Sequence, residues 1–291
     1  MIPGIKELLF GPPGSGKSHS IRTLLEADKE LQVFCLFTEP SGMAVLGDTD
    51  AARLHWHYVA PAQPGIASMI KQATNIHTFS VDKLFGMDGN KADYGQFIDL
   101  LKQLADFQCT RCGKAFGPAD SWGTDRVLIL DSLSGLNIMA RELVTGGKAG
   151  LSLPEWGVAI DTEARLINML TLGTQAHFVL IAHVDREIDQ VLGGTKILPA
   201  ALGRKLPVEI GRFFDDVIYA SHNEGKFQWS TLTANVDAKA RILPLSKDLP
   251  PSFVRVIENW KKKGGKVEER RPSITTIPPV AASSTKLELQ K

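Results

Sequence analysis

Residues 11–18 read Gly11-Pro12-Pro13-Gly14-Ser15-Gly16-Lys17-Ser18, and this octet constrains the chain more than any other stretch. It fits the G-x-x-x-x-G-K-[ST] spacing of a phosphate-binding loop. Residues 4–10 before it form an apolar run suited to a short buried strand. Residues 19–27 after it place Ile21, Leu24 and Leu25 on one helical face. Strand, glycine loop and helix is the context the motif requires. Unpaired N–H groups at a helix N-terminus attract phosphate, and Gly14 and Gly16 let the backbone wrap it without Cβ clashes. Gly11, Pro12, Pro13 and Ser15 complete the cradle. Lys17 is expected to reach the β- and γ-phosphates of ATP, and the Ser18 hydroxyl to sit on Mg²⁺.

The remaining composition narrows the setting. At 291 residues and 43% hydrophobic, the chain has ample material for one large α/β domain. A net charge of +1 advertises neither nucleic acid nor membrane, so any DNA contact must be local. No apolar run approaches the ~20 residues of a membrane span, and the early phosphate loop leaves no room for a signal peptide. Three cysteines, two of them in one C-x-x-C, argue for a reducing, cytoplasmic setting.

Further acids and bases fall at strand ends, where open α/β sheets bind their ligands. Residues 33–38 form a continuous apolar run that ends in Glu39-Pro40-Ser41-Gly42. Residues 126–131 form another, ending in Asp131-Ser132, with the Asp placed to hold Mg²⁺. A strand over 178–182 delivers His183, and one over 216–220 follows. Residues 54–59 suit a short strand, and 66–73 a short helix. Residues 94–107 suit an amphipathic helix with Phe97, Ile98, Leu101, Leu104 and Ala105 inward. Pro154 opens a helix running through 159–172. Residues 227–232 and 240–243 read as a strand pair across a turn at 235–237, and 252–261 as a final helix. Residues 187–213 read as a long connection without regular structure, and 264–291 as a disordered tail behind a core of residues 1–263.

Cys109-Thr110-Arg111-Cys112 has the look of half a zinc knuckle within a possible insertion over 109–123. A closed zinc site needs four ligands, and His55, His57, His77 or Cys35 are the candidates to complete it in space.

Together these features resemble the RecA/RadA-type core ATPases, and within them the phage Sak-type single-strand-annealing and recombination ATPases. The resemblance covers residues 4–245 and rests on Gly11–Ser18, Glu39, Asp131-Ser132, His183 and Lys239-Ala240-Arg241. Ring ATPases of the AAA+ type carry a catalytic Glu directly after the strand-end Asp, where this chain has Ser132. The resemblance implies a RecA-like fold, with a mostly parallel sheet flanked by helices and a C-terminal β-hairpin. It implies that Glu39 polarises the attacking water and His183 senses the γ-phosphate. It also implies that Lys239 and Arg241 reach a neighbouring subunit's nucleotide, making the protein a homo-oligomer, ring or filament. Loops over 145–152 and 187–212 stand where the family binds single-stranded DNA, through Lys148, Lys196, Arg204, Lys205 and Arg212. A single-strand-binding protein is a possible partner, and a bacterial host's cytoplasm the setting of a phage-encoded chain. The competing expectations are a ring-forming helicase or translocase, a small-molecule nucleotide kinase and an ATP-dependent switch.

Overall fold

The computed structural model describes residues 2–60, 62, 65–87, 89–148, 150–188 and 193–269. Its centre is a seven-stranded sheet of β1 (Lys6–Phe10), β2 (Gln32–Phe37), β3 (Leu54–Tyr58), β4 (Arg126–Asp131), β5 (His177–Ala182), β8 (Asp216–Asn223) and β9 (Lys226–Ser230). The order across the sheet is β3-β2-β4-β5-β1-β8-β9, with only β9 antiparallel to its neighbour. β6 (Val184–Ile188) and β7 (Thr195–Pro199) form a separate antiparallel hairpin. This is an α/β fold with a mostly parallel sheet, and its first strand leads directly into the glycine loop. The central strands are buried along their whole length, which explains why they read as continuous apolar runs rather than as alternating patterns.

Helices cover both faces of the sheet. α1 (Lys17–Ser20) and α2 (Arg22–Ala27) continue the glycine loop, and α3 (Ser41–Leu46) follows β2. α4 (Ile66–Thr78), α5 (Val81–Phe85) and α6 (Gln96–Ala105) lie between β3 and β4. α7 (Leu133–Thr145) and α8 (Leu153–Leu172) connect β4 to β5. α9 (Leu206–Glu209) precedes β8, and α10 (Val254–Lys262) closes the fold. One core packs Phe34, Leu128 and Leu180 against Leu100, Leu136 and Ile167; the other packs Leu9, Ile129 and Ile218 against Leu24, Val256 and Trp260. α8 begins in a capping box in which Ser152 and Glu155 satisfy each other's backbone amides. None of the helices described is long and apolar enough to cross a membrane.

Several expectations change. The connection over 187–213 is largely ordered, because β7, α9 and a 3₁₀ turn at Ile210–Phe213 occupy it; residues 189–192 lie outside the described residues. The C-terminal hairpin pairs β8 with β9 through a tight turn at Glu224-Gly225, not residues 227–232 with 240–243. Residues 241–243 cannot join a sheet ladder, because their amides all donate to the buried carboxylate of Asp216. On α6, Phe97, Leu100 and Leu104 point inward while Ile98 and Leu101 stay exposed, so the buried stripe is rotated from the expected one. Residues 264–269 belong to the fold, since Thr124 bonds the backbone of Lys266 and Glu268. Residues 270–291 of the expected tail lie outside the described residues.

The segment over 109–123 is built into the core. Phe34 on β2 meets Phe107, Phe116 and Trp122 with ring centroids 5.3, 4.9 and 4.4 Å away. Phe34 is fully buried, so Phe34→Ala removes the common partner of this cluster. The expected loss is about 3–5 kcal/mol of stability, read from the midpoint of denaturant unfolding.

Candidate functional site

The strand order sets Glu39, Asp131, His183 and Gly11 side by side, because they stand at or just past the carboxyl ends of β2, β4, β5 and β1, which are successive neighbours. Their carboxyl ends open into a cleft of about 750 Å³ lined by residues of the glycine loop, Glu39, Asp131, His183, Val45, Phe227 and Pro251. Sequence distance is thereby erased: Ser18 donates a 2.7 Å hydrogen bond to Asp131, the two residues expected to hold Mg²⁺.

The loop is shaped for an anion. Gly16 is left-handed at φ 80°, and a Cβ at Gly11 would stand 2.1 Å from the carbonyl oxygen of Ala220 on β8. Lys17 folds back to donate to the carbonyls of Gly11 and Pro12 at 2.7 and 2.9 Å. The Ser15 hydroxyl is buried with no partner among the described residues, in a loop whose neighbouring glycines leave room for an oxygen acceptor. An ammonium held only by carbonyls, an orphan hydroxyl and a Ser–Asp pair fit a triphosphate with its Mg²⁺.

Burial decides the charges here. It pulls the Lys17 ammonium down to about 8, against the opposing fields of Asp131 and Glu39. It pushes the Asp131 carboxyl up, with the Ser18 hydrogen bond acting the other way. Glu39 behaves differently. Its hydrogen bond with His183 is the largest influence and, with one from the Ser132 hydroxyl, holds its carboxyl below the ordinary range despite desolvation. Glu39 is therefore a carboxylate at neutral pH. His183 Nε2 lies 3.5 Å from Glu39 Oε2, and Ser132 Oγ donates to Oε1.

Two residues that no motif singles out hold this arrangement. The Thr38 hydroxyl accepts from the Ser132 amide at 2.9 Å and donates to the Ser132 carbonyl at 2.8 Å, tying the end of β2 to that of β4. The Asp131–Ser132 peptide between them is cis. Phe227, from β9, stands against Gly16 and stacks on His222 with centroids 4.4 Å apart, giving the cleft a flat aromatic wall. Thr38 directly precedes Glu39 and could have been noticed at a strand end; Phe227 carries no sequence signal, because only the β8–β9 pairing brings it here.

The remaining candidates lie apart. Lys239 Nζ donates to the carbonyls of Gly211, Arg212 and Phe214, at the amino edge of the sheet, opposite the cleft. Arg241 is exposed, with Asp215 3.9 Å away. Four of the five expected DNA contacts face acids: Lys148 pairs with Glu155, Lys196 with Asp237 at 2.6 Å, and Lys205 and Arg212 with Glu209 at 3.6 and 3.5 Å. Arg204 is exposed. Cys109 and Cys112 meet His55; among the described residues His57, His77 and Cys35 are outside this cluster.

The depressed Lys17 value gives a pH signature. A bound triphosphate adds to the counter-charge of Asp131 and Glu39 and returns the ammonium toward its ordinary range. Above about 8 the free lysine is neutral and the bound one charged, so binding takes up a proton and affinity falls as pH rises. Calorimetry in buffers of differing ionisation enthalpy should detect this uptake in the natural chain and lose it in Lys17→Ala.

No protein-family model and no curated protein matches the chain. Among solved structures it is similar to EscN, the assembled ATPase of the enteropathogenic E. coli type III secretion system, at 12% identity and TM-score 0.38, over 75% of this chain and 43% of that one. It is also similar to a prototypical ATPase from the type III secretion system of pathogenic bacteria, at 13% identity and TM-score 0.39, over 76% and 53%. The chain spans about half the length of these structures.

Proposed function

We propose that the protein is a Mg²⁺-dependent ATPase whose hydrolysis is run by Glu39. The observation that carries this reading is the geometry of Glu39, an ionised carboxylate held by Ser132 and His183 in the same cleft as Lys17, Ser18 and Asp131. The loop amides and Lys17 bind the phosphates, and Ser18 with Asp131 would hold the metal. Mg²⁺, when bound, neutralises charge on the phosphate oxygens. Glu39 orients a water and accepts its proton as the water oxygen bonds to the γ-phosphorus. The bond to the β–γ bridging oxygen breaks, and ADP leaves with that electron pair. His183 fixes the second carboxylate oxygen, so the first faces the water in one orientation.

The finer reading is that this ATPase binds single-stranded DNA and supports phage-type recombination or strand annealing. It is supported by connectivity: His183 is followed at once by β6, and its carbonyl accepts from Ala200 just beyond β7. A change at the γ-phosphate therefore reaches the β6–β7 hairpin through one residue. Lys196 lies on this hairpin and Arg204 just past it, where phosphate contacts can exchange for the existing ion pair with Asp237. Arg241 is the group available to a neighbouring subunit's nucleotide, since Lys239 already serves three carbonyls.

Glu39→Gln should keep ATP binding and lower turnover about 10²–10⁴-fold, the usual worth of a positioned proton acceptor. Retained turnover in this variant removes Glu39 from the chemistry. Single-stranded DNA should raise the ATPase rate in a salt-sensitive way; stimulation by a nucleoside monophosphate instead assigns the chain to the kinases. Mixing Arg241→Ala subunits with Lys17→Ala subunits should restore hydrolysis if Arg241 acts across an interface, because one mixed contact then has both groups intact.

A further inference from the structure

The second cluster of chemically capable side chains lies at the β3 edge of the sheet, outside the residues that line the cleft. Cys109 and Cys112 occupy the tip of a short hairpin closed by an antiparallel bridge between Gln108 and Ala115. Cys109 N–H donates to the Lys114 carbonyl and Gly113 N–H to the Cys109 carbonyl, both at 2.9 Å, with Gly113 left-handed at φ 71°. This turn aims the Cys112 amide at the Cys109 sulfur, 3.4 Å away. An amide placed this way can donate to a sulfur that also ligates a metal.

The third member comes from the sheet. His55, on β3, is 3% exposed, and its Nδ1 lies 3.5 Å from Cys112 Sγ. The ring is clasped by Phe34 and Phe116, with centroids 4.9 and 4.2 Å away. Nδ1 faces the Cys112 sulfur, while Nε2 is buried without a hydrogen bond among the described residues and the Ala52 backbone is its polar neighbour. All three donor atoms lie within 4.8 Å of one another. Zinc bonds of about 2.3 Å to sulfur and 2.0–2.1 Å to nitrogen give tetrahedral edges of roughly 3.5–3.8 Å, the spacing already seen between Cys112 and His55.

We propose that His55 Nδ1, Cys109 Sγ and Cys112 Sγ bind a zinc ion, whose fourth position is open to water. Two thiolates and one imidazole select zinc over magnesium or calcium, and they neutralise its charge. Binding breaks the two S–H bonds, releases both protons to solvent and forms two Zn–S bonds and one Zn–N bond, with no change of oxidation state. The hairpin is held in place before any metal arrives. Thr110 N–H donates to the Trp56 carbonyl at 2.9 Å, and Arg111 stacks on Trp56 while donating to the carbonyls of Gly47, Thr49 and Leu54. The ion adds a cross-link between β3 and the hairpin, beside the aromatic cluster around Phe34.

The test uses the full-length, reduced protein, stripped with a chelator and titrated with Co²⁺. One equivalent should produce thiolate-to-cobalt charge-transfer absorption, and Zn²⁺ should bleach it. Cys112→Ser, at a partly exposed position, should about halve the band per metal and weaken binding by more than the ~100-fold that loss of an outer-shell partner costs. His55→Gln should keep a thiolate band but weaken binding by a similar factor. Absence of a charge-transfer band in the reduced natural chain overturns the proposal, and so does metal affinity that is unchanged in both variants. A Cys109–Cys112 disulfide in freshly purified protein that holds no zinc also counts against it.

Discussion

The structure turns on one dipeptide, Asp131-Ser132, at the end of β4. Its backbone is locked to β2 by both hydrogen bonds of the Thr38 hydroxyl. Its two side chains then diverge, Asp131 to Ser18 on the phosphate loop and Ser132 to Glu39 beyond β2. Three strand ends are thus fixed relative to one another by short bonds in a largely buried region. Burial is costly for charges such as Lys17 and Asp131, each 6% exposed. The same burial strengthens every remaining interaction with a phosphate, because little water is present to screen it. The buried Lys17 ammonium carries a desolvation penalty that an anionic ligand would offset.

The cleft and the Cys/His cluster occupy different parts of one sheet and use different physics. At the carboxyl ends, backbone amides and fixed carboxylates are arranged to suit an anion, with the donors in place before any ligand. Beside β3, two sulfur donors and one imidazole converge next to aromatic rings, a donor set suited to a small soft cation. Phe34 joins the second region to the core, since it packs on His55 and also belongs to a strand adjoining β4. The hairpin over 109–123 is consequently a load on the sheet edge rather than an appendage.

Much of this was legible in the chain. The octet at 11–18, the acids at 39 and 131 and the imidazole at 183 each follow a continuous apolar run, and buried parallel strands produce such runs. Their assembly into one cleft follows from strand order, which motifs imply but no local pattern encodes. What escaped was governed by long-range partners. Residues 241–243 look like a strand, yet Asp216 captures their amides. Phe227 looks like an ordinary strand aromatic until β9 places it over Gly16. Lys239 looks like a free cation, yet three carbonyls 25–28 residues earlier accept its N–H hydrogen bonds. The helix at α7 lacks a clean polar face, because Leu133, Leu136, Met139 and Ala140 are buried between the sheet and α8.

The placement of Arg241 limits how hydrolysis can be organised. Its backbone amide is tied to Asp216, which pairs with Glu7 at the amino side of β1, whereas the phosphate loop begins at Gly11. Four residues of strand separate the two levels by roughly 13 Å at ~3.3 Å per residue. Arg241 faces Asp215 on the amino side. Within one chain, then, the guanidinium and the phosphate loop lie at opposite edges of the sheet. If Arg241 stabilises charge on a γ-phosphate, that phosphate belongs to another copy whose carboxyl edge meets this copy's amino edge. Such a contact is head-to-tail, and repeating it gives a ring if the rotation closes and a filament if it does not.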